Sequence, residues 1–298
     1  MNKKSRYNPP PPPLVDPRVA PFPNRKEFWS LVMNDSKIDE ISILSAKKIF
    51  EKCETSEEFL KRLNNDMADK RNEIEILTRG QSDNPFWIEF RKMTITGSRA
   101  HTVNIAARHM LLNSRVKELL IGENEKEMDF PPVVWGRDHE PIARRAFIEK
   151  KRAEVNNFAF ESRGLLIDRV YPFIGASVDG LYTFDSEIPG CDPHVHLLEI
   201  KCPWSIRHDG VLKGASRLKY LKKGDNNSDF VLKKSVPYYT QIQLYLGVYN
   251  LDVCSLFIWT PIDSLEIKVV RNDEFINDLF PNLAKLYTDL FVPSLFCK

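Results

Sequence analysis

Residues 196–207 read HLLEIKCPWSIR, an apolar run carrying a Glu and a Lys two positions apart. Leu197, Leu198 and Ile200 predict a strand entering a core, and strand periodicity places Glu199 and Lys201 on one face of it. Opposite charges buried side by side are costly unless geometry or a metal ion compensates them. Any fold for this chain must supply that compensation around this strand.

The nearest source lies upstream. Asp179, in GASVDGLY, stands before Gly180 at a predicted strand end or turn. The intervening FDSEIPGCDPH contains a Gly and two Pro and reads as a hairpin loop, so two adjacent strands bring Asp179 beside Glu199. Two bare carboxylates at that separation push one pKa sharply upward, whereas a divalent cation dominates the local field and reverses the penalty. Hard oxygen ligands with positions left for water suit Mg²⁺ or Mn²⁺. Lys201 then stands where an ammonium can activate or orient a water and stabilise a charged phosphoryl transition state. Glu140, in WGRDHEPIARR, is expected on the first turn of the preceding helix as a further carboxylate. The D…ExK pattern with a helical Glu suits metal-dependent phosphodiester hydrolysis. A structural ion pair beside a turn Asp is the alternative that these residues alone leave open.

The chain has 298 residues, 42% of them hydrophobic, which is room for one large domain with a smaller helical part. A net charge of +2 means that any affinity for nucleic acid must come from local patches. No apolar run approaches the ~18 residues of a membrane span. The N-terminal MNKKSRYNPPPPPLVDP lacks the apolar stretch of a signal peptide, and Cys53, Cys191, Cys202, Cys254 and Cys297 read as free thiols of a reducing compartment. These features predict an intracellular protein without a membrane partner, and do not distinguish nucleus from cytoplasm.

Residues 1–24 are expected to form a Pro-rich extended arm, a plain leader rather than an SH3 or WW ligand. Residues 25–76 predict a helical extension, with Thr55 and Glu58 spaced as a capping box. Residues 77–298 form the main domain. It opens with the short helix FWIEFRKM and a second helix for which Ser98 is the expected N-cap. The acidic stretch 122–129 and Pro131–Pro132 read as a loop, and a helix is expected from Gly136 to about Lys151. Strand-like segments follow, then a polar stretch (206–235), the helix YYTQIQLYLGVYN, a strand pair CSLFIWTP and LEIKVVR, and C-terminal helices. The predicted class is α/β, a central mixed β-sheet flanked by helices with an N-terminal helical extension.

Other polar groups admit blander readings. Cys191, His194 and His196 lack a fourth ligand at zinc spacing and read as loop polarity. The segment 211–234 carries seven Lys or Arg against two Asp, including Lys219, Lys222 and Lys223, and is either a solvated face or a flap that contacts DNA. Trp87, Trp135 and Trp204 are either core residues or stacking platforms for bases.

GASVDGL…LLEIKCPWSIR followed by YYTQIQLY resembles the YqaJ-like viral recombinase and phage lambda exonuclease family, within the PD-(D/E)xK nuclease superfamily. The resemblance spans roughly residues 77–260, including TRGQSDNPFWIEFRKMTITGSRA, and leaves out the first 76 residues and the C-terminal helices. It implies a restriction-endonuclease-like nuclease core in which Asp179, Glu199 and the Ile200 carbonyl are metal ligands. Glu140 becomes the helical acid and Lys201 the catalytic lysine. Gln241 and Tyr245 repeat the family's Q-x-x-x-Y pattern, four residues apart and thus neighbours on a helix. Val178 stands where the family has Pro before the Asp, a departure that alters turn stiffness and removes no ligand. The resemblance further implies phosphate-binding roles for Arg91, Ser98, Ser177 and Arg207, two guanidiniums able to grip phosphate in a fork and two hydroxyl donors. The implied activity is that of a Mg²⁺-dependent 5′–3′ exonuclease, with Mn²⁺ as the alternative metal, acting on linear duplex DNA with a 5′-phosphate end in recombination or DNA processing. A homotrimer and a single-strand annealing partner are the implied associates. An endonuclease of the same superfamily is one rival reading. A DNA-binding protein that kept the fold without catalysis is the other, and the presence of Glu140, Asp179, Glu199 and Lys201 argues against it.

Overall fold

A computed structural model describes residues 35–122, 130–224 and 229–297. The expected Pro-rich arm, residues 25–34 of the expected helical extension, the acidic residues 123–129 and the centre of GDNNSD at 225–228 lie outside the described residues.

Helices α1 (Asp35–Ser42), α2 (Ala46–Phe50), α3 (Ser56–Arg62) and α4 (Arg71–Leu77) open the structure. Thr55 Oγ1 accepts from the Glu58 amide at 3.2 Å, and the Glu58 carboxylate reaches back to the amide of Glu54 at 3.0 Å. This is the predicted capping box with its return bond displaced by one residue. Phe59, Leu63, Ile74 and Leu77 lie in one buried cluster with Leu165, Ile174 and Leu279, so these helices share their core with the rest of the chain.

After α5 (Pro85–Arg91), capped by the Asn84 side chain on the amide of Phe86, the chain makes strand β1 (Ile95–Thr96) and helix α6 (Gly97–Arg108). The N-cap of α6 is Thr96, not Ser98: Thr96 is still extended and paired in β1, so the helix begins at Gly97. Helix α7 (Ser114–Ile121) follows, and then α8 (Pro131–Glu154). Two expectations are corrected there. Pro131 and Pro132 form the first turn of α8 instead of a loop, because a missing N–H costs nothing at the first helical positions. Glu140 consequently lies in the third turn, not the first.

The strands are β2 (Ala159–Glu161), β3 (Leu165–Ile167), β4 (Ile174–Ser177), β5 (Gly180–Phe184) and β6 (His194–Lys201). They are followed by α9 (Val211–Gly214), the hairpin β7 (Leu221–Lys223) and β8 (Phe230–Leu232), α10 (Pro237–Tyr249), β9 (Val253–Trp259), β10 (Ser264–Val270), α11 (Asp273–Leu286) and α12 (Val292–Phe296). The stretch read as a long polar segment thus contains a short helix and a hairpin. His194 and His196 belong to strand β6 and not to a loop. His196 is buried and hydrogen-bonds the Tyr182 hydroxyl at 3.2 Å.

A five-stranded mixed sheet of order β10-β9-β6-β5-β2 forms the centre, with β6 antiparallel to β5 and parallel to β9. A three-stranded sheet (β1-β4-β3) lies in the larger buried cluster. Alternation along β6 assigns its faces. Leu198 and Ile200 pack with Ala143 and Phe147 of α8, whereas Leu197 joins the cluster that contains Ile242 and Leu246 of α10. Glu199 and Lys201 share the Leu197 face, so the charged pair projects toward α10. Among the described residues no helix is long and apolar enough to cross a membrane.

Candidate active site

Asp179 lies just before β5, and backbone pairing puts it opposite the end of β6. Its amide donates to the Leu198 carbonyl at 3.1 Å, and its Oδ2 accepts from the Ile200 amide at 2.6 Å. Gly180 is required at the next position because a Cβ there would lie 2.2 Å from the Phe160 ring. Gly180 opens β5 and pairs with Leu198, so the Asp-Gly pair serves a close approach at a strand start rather than a turn.

Glu199 is 2% exposed. Its Oε1 accepts from Lys201 Nζ and from Gln241 Nε2, the latter at 2.8 Å, and its Oε2 has no partner. Gln241 Nε2 also reaches the Tyr245 hydroxyl at 2.7 Å, so the i,i+4 pair on α10 acts on one carboxylate. The Lys201 ammonium also lies 4.8 Å from the centre of the Tyr238 ring. Burial first and the charge of Asp179 second push Glu199 up to about 8, against the pull of Lys201. Burial works against the Lys201 ammonium, yet Glu199 first, then Tyr238 and Asp179, hold its pKa well above the ordinary lysine range. The two shifts oppose each other, since a raised Glu199 favours the neutral acid and a raised Lys201 needs a carboxylate beside it. The direct Nζ–Oε1 contact decides for the ion pair, because a charged acceptor strengthens that bond.

Glu140 reaches the same cleft from α8 and accepts from Arg144 Nη2. Burial and the charge of Asp179 raise its pKa to about 7, against Arg144 and Lys201. A third of its side chain is exposed (33%), so water screens it more than Glu199.

These groups line one cleft of about 170 Å³, together with Arg91, Ser98, Ser177, Ile200, Gln241 and Tyr245. Four predicted phosphate or DNA contacts lie elsewhere. Arg207 sits over the Trp204 ring at 3.3 Å and donates to the Trp204 carbonyl at 2.7 Å. Lys219, Lys222 and Lys223 are exposed, on or beside the β7–β8 hairpin. Trp87 lines the cleft, donating from Nε1 to Ser177 Oγ at 2.7 Å, and Arg91 lies over its ring at 4.0 Å. Thr96, Gly97 and Gln81 line it as well, and sequence reasoning gave them no site role. A Cβ on Gly97 would meet the Tyr245 ring at 2.4 Å, which no local pattern announces.

Can these residues hold a cation? Among the described residues no three His, Cys, Asp or Glu side chains are grouped closely enough to hold a metal ion by themselves. Mg²⁺ does not need such a group, since it commonly binds through one or two carboxylates and keeps several waters. The unpartnered, buried Oε2 of Glu199 beside the Asp179 charge is the donor that such an ion requires. The residues present fit a hard divalent cation.

A family model described as the YqaJ-like viral recombinase domain matches residues 86–252. The alkaline nuclease of elephantid herpesvirus 1 is 33% identical over 135 residues, covering 43% of this chain and 25% of that protein. The alkaline nuclease of human herpesvirus 6A is 27% identical over 170 residues, 55% of this chain and 31% of that protein. The chain thus spans less than a third of the length of these curated relatives. Among solved structures, the RNA complex of SOX from KSHV superposes with a TM-score of 0.52 at 13% identity, covering 90% of this chain and 86% of that one. That likeness concerns the fold.

Proposed function

The chain belongs to the YqaJ-like viral recombinase family, and from that membership we propose that it is a metal-dependent deoxyribonuclease, a 5′–3′ exonuclease on linear duplex DNA. The observation that carries the reading is the buried Glu199, with one oxygen held by Lys201 and Gln241 and the other without a partner beside Asp179. A structural ion pair has no use for that orphaned oxygen, whereas a cation-binding carboxylate does. The kinship with herpesvirus alkaline nucleases supports the same activity.

Asp179, Glu199 and the Ile200 carbonyl, with Glu140 across the cleft, would hold Mg²⁺ or Mn²⁺. Such an ion, when bound, supplies Lewis-acid polarisation of the scissile phosphate and a lowered pKa for water. The protein's own groups do the rest. Lys201 places a positive charge beside Glu199, where negative charge develops on a phosphoryl group in flight. Gln241 keeps the Glu199 carboxylate turned toward the cleft, and Tyr245 restrains Gln241. Arg91 and Ser98 line the side where a terminal phosphate is held, and Ser98 lies in the first turn of α6, whose dipole favours an anion. The exposed lysines of the β7–β8 hairpin serve as backbone contacts farther along the duplex.

The test is incubation of purified protein with linear and closed circular duplexes in Mg²⁺, Mn²⁺ or EDTA. Metal-dependent loss of linear DNA alone, faster from a 5′-phosphate than a 5′-hydroxyl end, is expected. Nicking of circles indicates an endonuclease, and gel retardation without cleavage indicates a binding protein. A ring of three copies belongs to the same reading, and light scattering counts them.

A further inference from the structure

Gln81 stands in the connection between α4 and α5, apart from the carboxylates and lysine of the site, yet its side chain reaches into the cleft. Its Nε2 donates to the Val178 carbonyl at 2.8 Å and to the Arg163 carbonyl at 3.2 Å. Val178 lies between the ends of β4 and β5, outside both ladders, and its carbonyl belongs to the peptide unit that leads into Asp179. From the far side Asp179 is held by the Leu198 carbonyl and the Ile200 amide. Gln81 supplies the hold on the near side, and ties it to Arg163 in the connection between β2 and β3.

The backbone at Gln81 supports this. Gly80 and Gln81 have φ of +92° and +47°, two left-handed residues in succession. A left-handed conformation is routine for Gly and uncommon for Gln, and such outliers persist where the surrounding structure imposes them. The approach is braced behind Gln81 by α4 and the residue after it. Glu75 accepts from the Gly164 amide at 2.9 Å, and Thr78 Oγ1 accepts from the Leu165 amide at 2.7 Å.

We propose that Gln81 is a positioning residue for Asp179: its amide fixes the peptide unit before the carboxylate and so sets how well Asp179 meets a divalent cation. The proposal deepens the metal-dependent reading of this cleft and rests on it. It assigns a role in the site to the short connection between α4 and α5.

The experiment compares Gln81→Gly and Gln81→Asn with the unmodified protein and with Asp179→Asn. Gly removes the amide and relieves the left-handed backbone, so folding is retained. Asn tolerates the same backbone and keeps a shortened amide. Mn²⁺ binding is measured by electron paramagnetic resonance, DNA cleavage by rate against metal concentration, and folding by thermal melting. The expected result is about tenfold weaker Mn²⁺ binding in Gln81→Gly, in the range typical of lost outer-sphere support. The metal requirement for cleavage should rise equally, with DNA KM within about twofold and Tm unchanged or higher, and Gln81→Asn should be intermediate. A role in folding alone would lower Tm and leave Mn²⁺ affinity where it was, and that result overturns the proposal. Unchanged Mn²⁺ binding in Gln81→Gly with an unaltered melt overturns it too. If the unmodified protein binds Mn²⁺ but cleaves no DNA, the nuclease reading fails and the positioning role is judged by the binding data. If it binds no Mn²⁺, both fail.

Discussion

Gln241 donates through Nε2 to Oε1 of Glu199 at 2.8 Å, so a side chain of α10 holds a carboxylate of the central strand. The same nitrogen reaches the Tyr245 hydroxyl, one helical turn on. The carboxylate's orientation is therefore set by a residue 42 positions later in the sequence, and only packing brings the two together. Gln241→Ala should lower cleavage about 10- to 100-fold, as expected for loss of an outer-sphere partner. Tyr245→Phe keeps the Gln241–Glu199 bond and should cost only about one ordinary hydrogen bond, roughly 1 kcal/mol. Steady-state rates of both variants check this, and an equal loss in each would mean that Tyr245 acts directly.

Lys201→Ala should reduce cleavage by about 10²- to 10³-fold with DNA binding largely intact, because its charge acts on the reacting phosphate. Glu199→Ala and Asp179→Ala should lose cleavage and Mn²⁺ binding together. Gel-shift and calorimetric titrations separate the two patterns. Near-normal turnover in Lys201→Ala would reduce the pair to a structural ion bridge.

The rate should rise with pH through about 7 and level off above it. Glu140, raised to about 7 by burial and the nearby Asp179 charge, is protonated below that value and cannot serve as a cation ligand there. Higher Mg²⁺ should move this limb to lower pH, since metal and proton compete for the carboxylate. Glu140→Gln should remove the limb, and pH–rate profiles at two Mg²⁺ concentrations test both statements.

Stability should fall on acidification for a reason remote from the cleft. Burial first, then the charges of Lys268 and His194, push His196 down to about 4, whereas an unfolded histidine titrates near 6.5. Between those values the unfolded chain takes up a proton that the folded one refuses. Stability conferred by neutral His196 is thus complete above about 6.5 and is lost as pH falls toward 4, by up to about 3 kcal/mol. His196→Gln should flatten the melting profile across that window.

Replacing Lys219, Lys222 and Lys223 by Ala should weaken DNA binding at low salt. It should also reduce the slope of log K against log salt by about 0.9 for each phosphate contact removed. An unchanged slope returns the hairpin to a solvated face.

The sequence by itself determined a good deal of this protein. Alternation in HLLEIK placed Glu199 and Lys201 together, and Gly and Pro in the intervening loop brought Asp179 alongside, because strand period and turn chemistry are local properties. An α/β sheet with a helical cover followed from the order of periodic segments, whereas the mixed strand directions are a matter of tertiary pairing. Local pattern misjudged the start of α8, where two prolines punctuate a loop and a first helical turn equally well. It also missed Gly97 against Tyr245 and Gln81 against Val178. Those contacts join residues far apart in the chain, and the steric fit or carbonyl that each one meets exists only after the helices pack on the sheet. Which carboxylate oxygen stays unpartnered, and how far Glu140 and Glu199 are raised, were likewise decided by tertiary structure, because burial and the field of neighbouring charges are properties of the assembled site.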